Sequence, residues 1–181
     1  PPPDRARRAV AGLSIQQFIG DHYGYLTYTS APGLSPATGV PPFSEETPYQ
    51  YYYSPASKFD GSAFVKATYR LSKDWSLFGD LQYRRVHFKT DGYNDKYYVD
   101  DNGQPQKHYL NVDERYNFFN PKAGLNYSHG AHRAYASVAV SHREPERNNF
   151  TDNGKYPAPR AERLYDFEAG YQVGGRVARA G

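Results

Sequence analysis

The sequence predicts an all-β chain, an antiparallel transmembrane β-barrel segment of about six strands with long external loops and short periplasmic turns. Three observations predict it. Stretches of about ten residues alternate apolar with polar side chains, aromatic rings stand at the ends of those stretches, and the connections are alternately short and long. Composition points the same way. Of 181 residues 38% are hydrophobic, yet 17% are aromatic, with 19 Tyr, 10 Phe and one Trp. A water-soluble core is built mainly from Leu, Ile and Val, whereas Tyr suits a surface that is apolar on one side and wet on the other. Disorder is opposed by the same rings.

Splitting each stretch into odd and even positions tests the strand assignment, because alternate side chains face opposite sides of a sheet. In 62–71 the odd positions are Ala63, Val65, Ala67, Tyr69 and Leu71, and the even ones Ser62, Phe64, Lys66, Thr68 and Arg70. In 75–83 Trp75, Leu77, Gly79, Leu81 and Tyr83 oppose Ser76, Phe78, Asp80 and Gln82. Beyond Arg84 the parity inverts, with Val86 and Phe88 on the other side, so a bulge at Arg84-Arg85 is expected. Further on, Phe119, Pro121, Ala123, Leu125 and Tyr127 oppose Asn120, Lys122, Gly124, Asn126 and Ser128. Ala134, Ala136, Val138 and Val140 alternate with Tyr135, Ser137, Ala139 and Ser141. The clearest strand sets Tyr165, Phe167, Ala169, Tyr171 and Val173 against Asp166, Glu168, Gly170 and Gln172. Residues 13–28 predict one more strand, its parity blurred by Gly20 and Gly24.

The connections set the orientation. Ser72-Lys73-Asp74 and residues 128–133 are tight turns, while 91–113 and 144–163 are long, polar and rich in Gly, Pro and Asp. Periplasmic turns of an outer-membrane barrel are short and its extracellular loops long. Strands at 75–88 and 134–143 therefore run outward, and those at 62–71, 114–128 and 163–173 inward. Residues 31–55 form a further external loop, with Tyr49, Tyr51, Tyr52 and Tyr53 at its end.

Other classes of function find no residues to carry them. A formal charge of +3, with its basic residues dispersed, does not describe a nucleic-acid binder. There is no Cys, hence no thiol chemistry or cysteine-ligated metal. His22, His87, His108, His129, His132 and His142 have no metal-ligand spacing, and neither a metal nor a cofactor is expected. No nucleophile elbow, phosphate loop or paired carboxylate in a cleft points to an enzyme. The chain begins at Pro1 without a secretory signal, so it reads as a fragment of a longer protein. Residues 1–12 and 174–181, rich in Arg, Ala, Gly and Pro, read as atypical ends foreign to the partial barrel at 13–173.

Several blocks then resemble a known family. They are Phe64-Val65-Lys66-Ala67-Thr68-Tyr69, residues 77–84, residues 118–127, residues 136–145 and residues 162–171, and in that order they look like successive barrel segments of TonB-dependent receptors. Asn120-Pro121-Lys122 together with Arg143-Glu144-Pro145 is the most specific part. The resemblance implies a piece of the C-terminal half of a barrel of about 22 strands, in the cell outer membrane. It implies outer-membrane lipid, a plug domain and the TonB system as partners, neither of the last two within this segment. It further implies uptake of a scarce or bulky solute such as an iron chelate, a cobalamin or an oligosaccharide.

Within that frame Lys66, Arg70, Asp80, Asn120, Lys122, Asn126, Asp166 and Glu168 are expected to face the lumen. Candidate ligand contacts are Tyr49, Tyr51, Tyr52 and Tyr53, on which sugar rings or an aromatic chelator would stack, and Arg143, Glu144, Asn148 and Asn149. The rings serve interface anchoring equally well. For 143–149 the competing roles are a clamp across the wall, through bidentate Arg–carboxylate bonds, and a solvated rim. Two rival functions remain: a secreted β-sandwich module that binds carbohydrate, and a passive porin.

Overall fold

Backbone groups within a strand find partners only on neighbouring strands, and here every connection returns the chain beside the strand it has just left. The result is one antiparallel meander: β1 Arg7–Leu26, β2 Tyr49–Arg70, β3 Trp75–Val99, β4 Pro105–His129, β5 His132–Arg143 and β6 Glu162–Val173. A single turn of helix, α1 Arg147–Thr151, lies in the β5–β6 connection. This is a computed structural model that describes residues 7–30, 41–153 and 158–174. The expectations for 1–6, 31–40, Pro157 and 175–181 lie outside the described residues. Strand β1 begins at Arg7, inside the stretch read as an atypical end.

The two sides of the sheet follow from the register. One side carries Ala67, Gly79, Ala123, Val138 and Phe167, with the rows above and below equally apolar. The other carries Lys66, Asp80, Lys122, Ala139 and Asp166 in one transverse row. No second sheet covers the apolar side among the described residues, and Leu13, Ile15, Ile19 and Phe167 remain more than 70% exposed there. A β-sandwich would bury that face.

The upper edge of the apolar band slants across the ladder. It ends at Tyr165 in β6, Val140 in β5, Phe119 in β4, Tyr83 in β3, Phe59 in β2 and Ile19 in β1. Continuing the register from Tyr165 through Val140 across the sheet leads to Ala11, so the edge has climbed from residue 11 to residue 19 over the five strand steps from β6 to β1. At about 3.3 Å per residue and 4.8 Å per step, the strands incline to the band by roughly 45°. Barrel strands tilt by about 35–45° to the axis for geometric closure, and a flat apolar layer crossing tilted strands leaves this slant.

Three expectations are corrected. Arg84-Arg85 is not a bulge: Ser62↔Arg84↔Phe118 and Gly61↔Arg85↔Asn117 pair without a register shift. Parity inverts because the polar face itself turns apolar at Val86 and Phe88, where another part of the chain covers it. Residues 91–113 are not an open loop, since β3 and β4 continue through them to a turn at 100–104, with an irregularity between Tyr93 and Tyr97. Tyr49 to Tyr53 are not the end of a loop but the first residues of β2, beside a register shift at Gly24/Tyr25.

Three rings that interrupted the polar face in sequence have a common reason. Phe64 lies directly opposite Gly12, Phe78 opposite Gly124 and Tyr135 opposite Gly170. Each ring lies across its glycine, so that a Cβ there would fall within contact distance of ring carbons. The aromatic ring covers backbone that glycine leaves bare.

Gly124→Ala is therefore expected to destabilise the folded protein by about 1–3 kcal/mol, because its methyl group meets both the Phe78 ring and the Ala136 carbonyl. Adding Phe78→Ala should recover part of the loss in urea unfolding followed in detergent. Full additivity of the two changes would remove the ring-over-glycine account.

Candidate functional site

The charged residues of the polar face are held by strand pairing. Lys66 Nζ lies 3.3 Å from Asp80, and Lys122 Nζ lies 3.6 Å from Glu168. Across the row Lys66, Asp80, Lys122 and Asp166 alternate in sign along the sheet, with Ala139 between the last two. Arg70 and Asn126 both sit beside Ser76 and line a recess of about 470 Å³ at the short-turn end with Arg8, Thr68, Lys73 and Asp74. The eight residues stand on one face of the sheet. Asn120 has a more particular position.

Pro121 has no N–H to give a ladder, and the β4–β5 pairing begins only at Lys122↔Ala139. Above it the side chain of Asn120 takes over: Oδ1 accepts the His142 N–H at 3.0 Å and faces His142 Nδ1 at 2.9 Å, while Nδ2 donates to Gln82 at 3.0 Å. Phe118 stacks on the His142 ring at 5.6 Å. Freed from β4, the chain leaving β5 turns back across the polar face of β4, β3 and β2.

Residues 144–153 form this strap. Glu144 reaches over β4 to Arg84, whose Nη1 donates to Oε2 at 2.8 Å and Nη2 to Oε1 at 3.0 Å, while Lys58 donates to Oε1 at 2.6 Å. Arg84 also forks onto Asp60, with Nε at 2.9 Å from Oδ1 and Nη2 at 2.5 Å from Oδ2. Two cations and two carboxylates thus close a half-buried cluster, the Glu144 side chain being 10% exposed. Further along, Arg147 donates to Ser54 Oγ at 2.7 Å, and Phe150 packs on Phe88 with ring centres 5.4 Å apart, next to Ala56, Val112 and Tyr116. Asn94 donates to the Thr151 carbonyl, and Lys96 meets Asp152 at 2.7 Å. Between strap and β4 opens a cleft of about 250 Å³ lined by His108, Leu110, Glu114, Phe150, Asn153 and Pro159.

The candidate ligand contacts divide. Both oxygens of Glu144 are engaged in the cluster. Arg143 points elsewhere, to Glu162 at 3.2 Å and Glu146 at 3.7 Å. Asn149 accepts the Glu146 N–H at 2.7 Å and so closes the first turn of α1, and Asn148 stays exposed beside it. Tyr51 and Tyr52 meet edge to face at 5.0 Å over Gly24. Tyr53 is on the opposite face, donating to Asp21 at 3.3 Å, and the Tyr49 hydroxyl accepts from Lys107 at 3.4 Å. Lys58, Asp60, Arg84 and Phe150 were missed in the sequence, while Arg147 lay within the stretch 143–149 singled out there. Their one signal was the apolar pair Val86 and Phe88 on a polar face, a patch that requires a cover.

An open sheet with one bare apolar face, rings at its margins and a charged opposite face defines a transmembrane β-barrel wall. A family model described as TonB dependent receptor-like, beta-barrel matches residues 4–180, and the chain belongs to that family. It is a family of outer-membrane receptors and transporters rather than of enzymes. No curated protein matches the chain.

Burial pushes the Glu144 carboxyl up, but the bonds from Lys58 and Arg84 outweigh it and hold it below the usual carboxylate range. A depressed carboxylate stabilises the folded state above its unfolded pKa, and the contribution is lost as pH falls through the folded one. The strap should accordingly stay seated at neutral pH and release only in acid, below the usual carboxylate range. Glu144→Gln should loosen it at neutral pH, by about 3 kcal/mol, and make no further difference in acid, where the native carboxyl is itself protonated. Hydrogen exchange of the 146–152 amides reads both effects, and unchanged protection in Glu144→Gln would show that the cluster does not hold the strap.

Proposed function

We propose that this chain is part of the wall of a TonB-energised importer, with its polar face lining the lumen and its long connections outside the cell. The observation that supports this best is the strap. A polypeptide crossing the charged face needs a water-filled or protein-filled space beside that face, and a lumen supplies one while lipid does not. Lys66, Arg70, Asp80, Asn120, Lys122, Asn126, Asp166 and Glu168 then meet a plug domain or the passing solute. The solute is a scarce or bulky compound, an iron chelate, a cobalamin or an oligosaccharide.

Residues differ in what they offer it. Asn148 and Asn149, exposed on the strap, and Tyr51 and Tyr52 are the contacts offered to an arriving solute, and Arg143, paired with Glu162 and Glu146, stands at the end of β5 where the strap begins. Glu144 acts at one remove, by fixing where the strap lies. The test of energised transport is uptake by cells carrying the intact receptor, with and without the inner-membrane TonB complex. Loss of uptake without the complex supports an importer, whereas unchanged uptake would mark a passive porin.

Orientation is checked by introduced cysteines. Asn102→Cys and Asn153→Cys should react with an impermeant maleimide on whole cells, and Lys73→Cys and Gly130→Cys should not; the opposite pattern would invert the barrel. The faces are checked by Ala169→Arg and Glu168→Arg in the intact receptor. The first should impair insertion, at about 2–4 kcal/mol for Arg near mid-membrane, and the second should be tolerated. Equal effects on heat-modifiable migration would show that the faces are misassigned.

A further inference from the structure

We propose that Arg147, with His22 and the Tyr51–Tyr52 pair, forms a subsite for an acidic group, a carboxylate or a phosphate, of the imported solute. This rests on the proposed reading of the polar face as the lumen side, and it narrows the solute to an acidic one. The register puts His22 opposite Ser54 and Gly24 opposite Tyr52, on successive rows of the polar face at the long-connection end of β1 and β2. Arg147 reaches this place from the strap, and its Nη2 donates to the Oγ of fully buried Ser54 at 2.7 Å. Tyr51 and Tyr52 lie over Gly24, where a Cβ would fall on both rings, so the glycine makes room for them.

The guanidinium arrives without a counter-ion. Both oxygens of Glu144 are bound by Lys58 and Arg84, and Asp152, which acts on Arg147 from beyond ion-pair range, meets Lys96 at 2.7 Å. Glu146 faces Arg143 at 3.7 Å, and Asp21 lies on the opposite side of β1, bonded to the Tyr53 hydroxyl. Glu114 lines the cleft on the β4 side of the strap, two strands from Ser54. Among the described residues Arg147 forms no ion pair, and its Nε is buried without a partner. Burial lowers the pKa of Arg147, opposed by the Tyr52 hydroxyl and Asp152, and burial together with the guanidinium lowers that of His22. The His22 ring is therefore neutral at pH 7 and has an N–H to donate. A half-buried cation left unpaired is costly, and an oxyanion brought by a ligand removes that cost.

These groups select the chemistry of the ligand. A guanidinium fork favours bidentate contact with carboxylate or phosphate, and the His22 N–H adds a neutral donor beside it. The two tyrosine rings offer faces and hydroxyls to the body that carries the acid. A neutral oligosaccharide would use the rings and leave the guanidinium uncompensated, and a bare cation would be repelled by it. An acidic sugar, or a chelate that carries carboxylates, uses both.

The test titrates the intact receptor in detergent with glucuronate, glucose 6-phosphate and glucose, which share a ring and differ only in the group at its outer carbon. One of the acids or both should bind at least about tenfold more tightly than glucose, and the tighter names the oxyanion. Arg147→Gln should abolish that preference and Arg147→Lys should keep part of it through charge alone. Arg163→Gln, on the apolar side of the sheet, should leave it whole. Equal binding of the three sugars, or an undiminished preference in Arg147→Gln, overturns the proposal. Loss of Arg147 can also unseat the strap, so the unaltered receptor supplies a second reading: the tighter acid should shift the ring resonances of His22, and glucose should not. A His22 ring unmoved by the bound acid puts that acid elsewhere and overturns the proposal as well. Failure of the underlying reading looks different. Equal binding of all three sugars, with uptake that still requires the TonB complex, refutes the subsite alone. Acid preference in a receptor whose uptake ignores the complex refutes the energised importer and leaves the subsite standing.

Discussion

A backbone crossing hydrocarbon must satisfy every N–H and C=O from its own fold, and the strand ladder is the only solution open to a chain without a long apolar helix. Everything else in this sheet follows from the two-residue period that the ladder imposes. Neighbouring side chains enter different solvents, so Leu81 and Asp80, or Phe167 and Glu168, sit one residue apart with opposite demands. The slanted upper edge of the band, from Tyr165 to Ile19, is the same constraint in a second dimension. Flat hydrocarbon meets strands that tilt.

The ladder also has to be interrupted somewhere if the chain is to leave the wall, and Pro121 marks the place. With its missing donor the β4–β5 pairing stops at Lys122↔Ala139, Asn120 satisfies the His142 N–H, and the chain is released to cross the polar face. Arg84 is where it lands. A guanidinium that forks onto Asp60 in its neighbouring strand and Glu144 in the strap links wall and strap through one rigid plane, and Lys58 completes the charge balance. Such a cluster fixes geometry more surely than it adds stability, since desolvation offsets much of the attraction. For a site whose position matters, fixed geometry is the useful property.

Much of this was legible in the sequence because alternation is local. The six strands, the turns at Ser72-Lys73-Asp74 and 128–133, and the common face of Lys66, Asp80, Lys122 and Asp166 all follow from parity alone. What escaped was long-range. The inversion at Val86 and Phe88 read as a bulge because one strand cannot reveal that a segment some sixty residues later, around Phe150, covers it. The hairpin through 91–113 was hidden by Gly and Asp residues typical of loops, though Tyr93, Tyr97, Tyr98 and Tyr109 between them carry the β-propensity that extends the strands. Glu144 was singled out, but its partners Arg84, Asp60 and Lys58 are unremarkable in sequence and meet only through the fold.

The central claim is that the two faces of these strands lie in two solvents. Spin labels placed singly at each residue from 117 to 127 of β4 in the intact receptor, in bilayers, measure it most directly. Collision with oxygen, which concentrates in lipid, should peak at odd positions around Ala123, and collision with an aqueous nickel chelate should be greater at even positions such as Asn120 and Lys122. A profile without a two-residue period, or one with its phase reversed, would contradict the account.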